Sequence, residues 1–238
     1  MMSDTVLATF FSFAFEKFLN EKLFFRDFEL DKNKMNEYTD DLISIPISAY
    51  LDYMVENILP CYVLPQDIVQ YSSLQDATSR FCQKLLEAGD EGLRYQQIGA
   101  LLLDDGKTRK RGALLKYGEN HAKTAIELGL AQNVCDYIYL SCMGVVFNTY
   151  TSEKQRKLLK RLIFRNRFIQ RLAILSQKGV VSLLDEMSIL SESTIKRRRS
   201  NIRTLFCLFD DEELCLFSNI LGLDLFVLGY NPSDLAAE

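Results

Sequence analysis

Residues 181–209 place a short apolar segment, a turn and a strongly basic amphipathic stretch in immediate succession, and few folds satisfy all three. Residues 181–188 have the length and apolar content for two helical turns, and residues 189–191 can turn the chain. Ser191 or Ser193 then offers a hydroxyl to the first free amides of the next element. Residues 194–209 are predicted to form that element, a helix. At about 100° per residue, Ile195, Ile202, Leu205, Phe206 and Phe209 share one arc, while Lys196, Arg197, Ser200, Arg203 and Thr204 lie opposite. A core-facing stripe therefore backs a cationic, hydrogen-bonding face. Arg198 and Arg199 fall at the edges of the apolar arc, where the stem can pack and the guanidinium can snorkel to a phosphate or a carboxylate. A charge run on a helix also suits an ordinary solvated face, so the pattern needs support from elsewhere in the chain.

Charge distribution supplies some. The net charge of −4 is the sum of very unequal parts: −8 over residues 1–76, +11 over 77–209 and −7 over 210–238. What a polyanion meets is a local basic surface, so an acidic whole does not exclude nucleic-acid binding. The alternative is that the acidic ends cover the basic middle within one fold or an oligomer.

The chain is long enough for a substantial core and could hold one large domain or two small ones with an extension; two is the division expected here. Its 48% apolar content and its 11 glycines and 4 prolines in 238 residues fit a helix-rich protein, and no segment is long and apolar enough to span a bilayer. Residues 6–15 resemble a signal-peptide core, but Asp4 precedes them and Glu16-Lys17 interrupts, with no basic leader; a cytoplasmic location is expected. The phenylalanines at 10, 11, 13, 15 and 18 are too dense for a freely exposed helix and are expected to pack within the protein or against a partner. Six cysteines form no CxxC pair and there is one histidine, so no zinc site is expected and the cysteines are read mostly as reduced core residues.

Along the chain, residues 47–58 return to helical spacing after a polar stretch. Leu74–Ala88 reads as a helix, 95–103 as a short helix or a strand, and 113–130 as a third helix stopped at Gly129, which can take a left-handed C-cap conformation. Residues 131–132 and Tyr137–Leu140 look extended, with 143–147 as another extended candidate. Three helices followed by a hairpin resemble winged-helix DNA-binding domains over residues 72–148. On the third helix Asn120, Lys123 and Thr124 occupy the polar arc and become candidate DNA contacts. A second copy is expected over 149–209, opening with one long helix after Thr151. On it Leu158, Leu162, Ile169 and Leu172 face one way, and Arg156, Lys160, Arg167 and Arg171 align opposite as a track for phosphates. The segment LSESTIKRRRSNIRTLFCLF resembles the C-terminal helix-turn-helix of restriction-modification and related bacterial defence proteins; that resemblance covers residues 180–209 alone.

Candidate chemistry is thin. His121 lies at the edge of the arc of Ala122, Ala125, Ile126 and Leu128, as a packed, hydrogen-bonded histidine would. Asp105-Gly-Lys107, with Glu87, Asp90 and Glu91 upstream, vaguely resembles the acid-x-Lys metal-binding core of restriction nucleases, but Asp104-Asp-Gly is also an ordinary turn. There is no phosphate-binding GxxxxGK[ST] loop and no GxGxxG turn after a strand, and aromatics do not interleave the basic residues as a single-strand platform needs. No catalytic residue, metal or cofactor is assigned.

The expectation is a mainly α protein with small β-hairpin wings and tandem winged-helix or helix-turn-helix modules: an acidic helical region at 1–71, a winged helix at 72–148, a second module at 149–209 and an acidic tail at 210–238. The expected function is non-enzymatic binding of double-stranded DNA, as a regulator or an accessory component of a bacterial defence or restriction system. The alternatives are a protein-interaction subunit of a larger complex, with a protein partner or homodimer, and a metal-dependent nuclease.

Overall fold

The computed structural model describes residues 28–68, 70, 74–103 and 107–224; the phenylalanine-rich start, the Asp104-Asp-Gly106 turn and the end of the acidic tail lie outside them. The chain is mainly helical with a small antiparallel sheet. Helices α1 (Phe28–Ser44) and α2 (Ile47–Asn57) come first. Pro46, extended at the N-cap of α2, separates them. Tyr50 is fully buried and donates its hydroxyl proton to the Leu42 carbonyl at 3.1 Å, which fixes the corner between the two.

The first unit follows. Helix α3 (Leu74–Ala88) buries Leu74, Phe81, Cys82 and Leu85 at helical spacing. After it, Gly92 turns the chain at φ 63° and Leu93 forms an antiparallel bridge with Ile138. Helices α4 (Tyr95–Leu102) and α5 (Arg111–Glu127) cross at two glycines. A Cβ on Gly99 would stand 1.9 Å from the Leu114 carbonyl oxygen, and one on Gly118 would stand 1.8 Å from that of Tyr95. Only hydrogen side chains permit backbones this close. Gly129, at φ 77°, ends α5 as expected.

Strands β1 (Ala131–Val134) and β2 (Tyr137–Leu140) pair from Ala131–Leu140 to Val134–Tyr137. Cys135 and Asp136, both at positive φ, make the two-residue turn that this tight register demands. Residues 143–147, expected to be extended, lie instead in helix α6 (Cys142–Asn148), capped by the Ser141 hydroxyl, which accepts from the Gly144 amide at 3.1 Å. A run of six consecutive buried residues, 142–147, gives no periodicity to separate helix from strand.

The single long helix expected after Thr151 is two. Helix α7 (Ser152–Leu162), capped by Thr151, passes into a 3₁₀ turn at Ile163–Arg165. Asn166 then caps a new helix, α8 (Arg167–Lys178), by accepting from the Ile169 amide at 2.9 Å. Residues 181–188 are only partly helical: Val181–Ser182 form strand β3, and Leu183–Glu186 form the short helix α9. Helix α10 (Glu192–Phe206) follows the turn, then α11 (Asp211–Cys215) and strand β4 (Ile220–Leu221), which pairs with β3 in parallel. Among the described residues no antiparallel hairpin follows α10.

The expected segments do not keep separate cores. One apolar cluster runs from Met35 to Leu223. Within it Phe206 and Phe217 pack edge to face at 4.9 Å, Phe209 lies 5.0 Å from Phe217, and Phe164 joins this group to Tyr50. The cysteines are all free, but only Cys82 and Cys142 are buried; Cys135, Cys207 and Cys215 are exposed and Cys61 is half-buried, so most are not core residues.

Candidate nucleic-acid interface

Helix α10 owes its orientation to Ile202, Leu205 and Phe206, which enter the core, with Ile195 packed at its margin. Its start needs no side-chain cap: Ser191 takes the extended N-cap conformation and donates its hydroxyl proton to Thr194 Oγ1 at 3.0 Å. The inward stripe leaves Lys196, Arg197 and Ser200 exposed. Thr204, half-buried, donates to the Ser200 carbonyl at 3.0 Å, and half-buried Arg203 lies 3.9 Å from the Asp224 carboxylate.

The arginine run divides by its partners. Arg198 Nη1 donates to the Ile68 carbonyl at 2.7 Å. Arg199 donates through Nε to the Gly222 carbonyl at 2.9 Å and through Nη2 to the Asp224 carboxylate. Both edge arginines thus hold α10 to neighbouring chain, and the outward cations Lys196 and Arg197 are carried on a helix anchored from both sides.

The expected phosphate track through Arg156, Lys160, Arg167 and Arg171 is not assembled as one surface. The helix breaks at Ile163–Arg165, so Arg167 and Arg171 sit on a different axis from Arg156 and Lys160. Arg156 donates to the carbonyls of Leu208 (2.7 Å), Cys207 (3.2 Å) and Phe209 (3.3 Å), the three residues that follow α10. Lys160 is 6% exposed, and its ammonium pairs with Asp210 at 3.1 Å and with Glu213. Arg171 grips both Glu186 carboxylate oxygens, at 2.6 and 3.3 Å, and the Cys61 carbonyl at 3.1 Å. Arg167 is exposed at the start of α8. Lys160 thus pairs with the acidic segment after residue 209, the alternative that charge segregation left open, whereas Arg156 is held by carbonyls and Arg171 by Glu186 of the basic middle.

Helix α5 also differs from expectation. Thr124 is buried and donates to the Asn120 carbonyl at 2.8 Å, while Asn120 itself is half-buried. Lys123 remains exposed, and with Lys116 it flanks Glu119 at 2.6 and 3.1 Å. The two ammonium groups hold the Glu119 carboxyl below its usual range, their hydrogen bonds being the main cause. Sequence reasoning passed over Lys110 and Arg111, both exposed at the start of the helix. Arg111 Nε donates to Gln96 Oε1 of α4 at 2.9 Å, which fixes its base beside the crossing. The clue was present in the run Lys107-Thr-Arg-Lys-Arg111, at the end of a helix whose amide dipoles already favour anions. The hairpin beside it offers no such charge: Asp136 stands at its tip, and the Arg94 guanidinium lies over the Tyr137 ring at 4.7 Å.

His121 is half-buried against Tyr117, ring centres 4.5 Å apart. Burial, and secondly the Arg80 charge, lower its pKa below the ordinary histidine range. Among the described residues no group of three or more His, Cys, Asp and Glu side chains could hold a metal ion, and no helix is long and apolar enough to cross a membrane. The Asp105 of the nuclease alternative lies outside those residues. No family model, curated protein or solved structure matches the chain.

Proposed function

We propose that the protein binds double-stranded DNA through the solvent-facing side of α10, and that its two halves are helix-turn-helix units of winged-helix type. The order α3, the Leu93 bridge, α4, α5, β1, β2 supports the winged-helix reading of the first half. In the second half α8, β3, α9 and α10 repeat the helix–strand–helix–turn–helix order without a following hairpin among the described residues. The observation that carries the function is the division of labour on α10. Arg198 and Arg199 are held by the protein, while Lys196, Arg197 and Ser200 face solvent from a helix fixed in place. Polar groups of this kind can reach base edges in a major groove while neighbouring cations meet phosphates. Transcriptional control and a role in bacterial defence or restriction both fit such a binder.

The test is an anisotropy titration of mixed-sequence duplexes across a salt series. Binding should weaken as salt rises, with a logarithmic slope of about 0.9 per phosphate neutralised, and Lys196→Glu with Arg197→Glu should flatten that slope. Absence of binding at low salt would sink this reading and leave the protein-interaction subunit in its place.

A further inference from the structure

The C-terminal end of α5 and the middle of α10 are joined by a short chain of hydrogen bonds that runs through one side chain. Asn166 is 2% exposed, and both its side-chain nitrogen and its side-chain oxygen are hydrogen-bonded. Its Oδ1 caps α8, and its Nδ2 donates to Glu127 Oε1 on α5 at 2.6 Å and to the Asp67 carbonyl at 2.9 Å. The next carbonyl along, that of Ile68, takes the Arg198 guanidinium of α10 at 2.7 Å. Two cationic helices from different halves of the chain therefore converge on Asp67–Ile68.

Scale makes this more than a packing detail. Arg111 to Glu127 spans about 24 Å at 1.5 Å per residue. The link from Glu127 to Arg198 adds at most about 25 Å, being three hydrogen bonds, one Cα–Cα step of about 3.8 Å and the extended Glu127 and Arg198 side chains, roughly 12 Å together. The cations of α5 and those of α10 are thus held within about 50 Å of one another, roughly one and a half turns of B-form DNA. Residues 107–123 contain six basic side chains and one acidic, and Lys110, Arg111, Lys116 and Lys123 are exposed.

We propose that α5 and α10 grip one duplex together, at a spacing set by Asn166, so that the preferred ligand is a duplex of at least about one and a half helical turns rather than a shorter one. The inference rests on the DNA reading above and adds a second contact, a length requirement and a positioning residue. Joining two weak contacts on a rigid frame raises affinity by about 10²–10⁴ over either alone, and the gain vanishes if geometry forbids both at once.

The experiment compares 8-bp and 24-bp duplexes at fixed salt. The wild type should bind the 24-mer at least a hundredfold tighter, and Lys110→Glu with Lys116→Glu should remove most of that advantage. Asn166→Asp keeps the acceptor that caps α8 but loses both donated bonds and sets a carboxylate against Glu127. It should lose tenfold or more on the 24-mer and leave the 8-mer unchanged, a pattern that general unfolding does not give. Adding Glu127→Gln supplies an amide donor to the new carboxylate and should restore long-duplex binding. Equal losses of Asn166→Asp on both lengths, or a length advantage that survives the α5 reversals, overturns the proposal while the α10 reading stands. No binding at either length takes down both.

Discussion

Gly118→Ala puts the α4–α5 crossing to the test, because two opposing effects of known size meet there. Replacing glycine by alanine within a helix ordinarily stabilises by about 0.5–1 kcal/mol. At Gly118 the added Cβ would sit 1.8 Å from the Tyr95 oxygen and 2.7 Å from the Gly99 nitrogen, both backbone atoms that no rotamer change can move. Reaching ordinary contact at 3.4 Å requires α4 and α5 to part by about 1.6 Å. That separation opens the packing between two helices whose buried residues include Ile98 and Leu102 on α4 and Ala122 and Ala125 on α5. Overpacking of this kind costs about 1–3 kcal/mol and more where backbone must shift, so the steric effect wins and the net loss should be about 1–3 kcal/mol. In a chain of this size that lowers Tm by roughly 2–4 °C per kcal/mol. Gly112→Ala is the internal control: it lies in the same helix with nothing within 4 Å of its Cβ position. It should melt at the wild-type temperature or up to about 4 °C above it. Thermal unfolding followed by circular dichroism reads both, and a Gly118→Ala protein melting at or above wild type would refute the close crossing.

Other outcomes are expected together. Arg197→Ala should weaken binding by about 1–3 kcal/mol if a base is read bidentately, at unchanged Tm, whereas Arg198→Ala should lower Tm and leave affinity for a short duplex nearly unchanged; paired melting and anisotropy measurements separate them. Lys160→Ala leaves Asp210 and Glu213 without their cation and should destabilise by about 1–3 kcal/mol, short of the ~3–5 of a wholly buried pair because Asp210 is well exposed, and the salt slope of DNA binding should not move. Asp210 has its carboxyl drawn down to about 2, chiefly by the Glu213 backbone amide and then by Lys160. A lowered folded-state pKa stabilises above the ordinary carboxylate range and ceases to do so as pH falls through about 2. Wild type should therefore exceed Asp210→Asn in stability at pH 5, with the gap closing between about pH 4 and 2 in urea titrations. For His121 the same rule means stability falls as pH drops below the ordinary histidine range, and an NMR titration should find its midpoint below 6.5.

Local chemistry was enough to read most elements of the first half. Leu74–Ala88, the Tyr137–Leu140 strand and the Gly129 stop depend on spacing and on a residue's own backbone freedom, which travel with the sequence. The split of the KRRR run on α10 was legible for the same reason, since residues 196 to 199 sit within one turn of one helix. What only the tertiary structure decided is where charges go. A helical wheel ranks Arg156, Lys160, Arg171 and Arg197 alike as polar-face cations, because it records direction about one axis and nothing of what another element brings to that face. Folding brings Asp210 and Glu213 to Lys160, Glu186 to Arg171 and the end of α10 to Arg156, and leaves Arg197 facing solvent. Asn166 makes the same point at closest range: as a helix cap it could have been read from the sequence, but its bonds to Glu127 and Asp67 join residues 39 and 99 positions away, and only packing sets such distances.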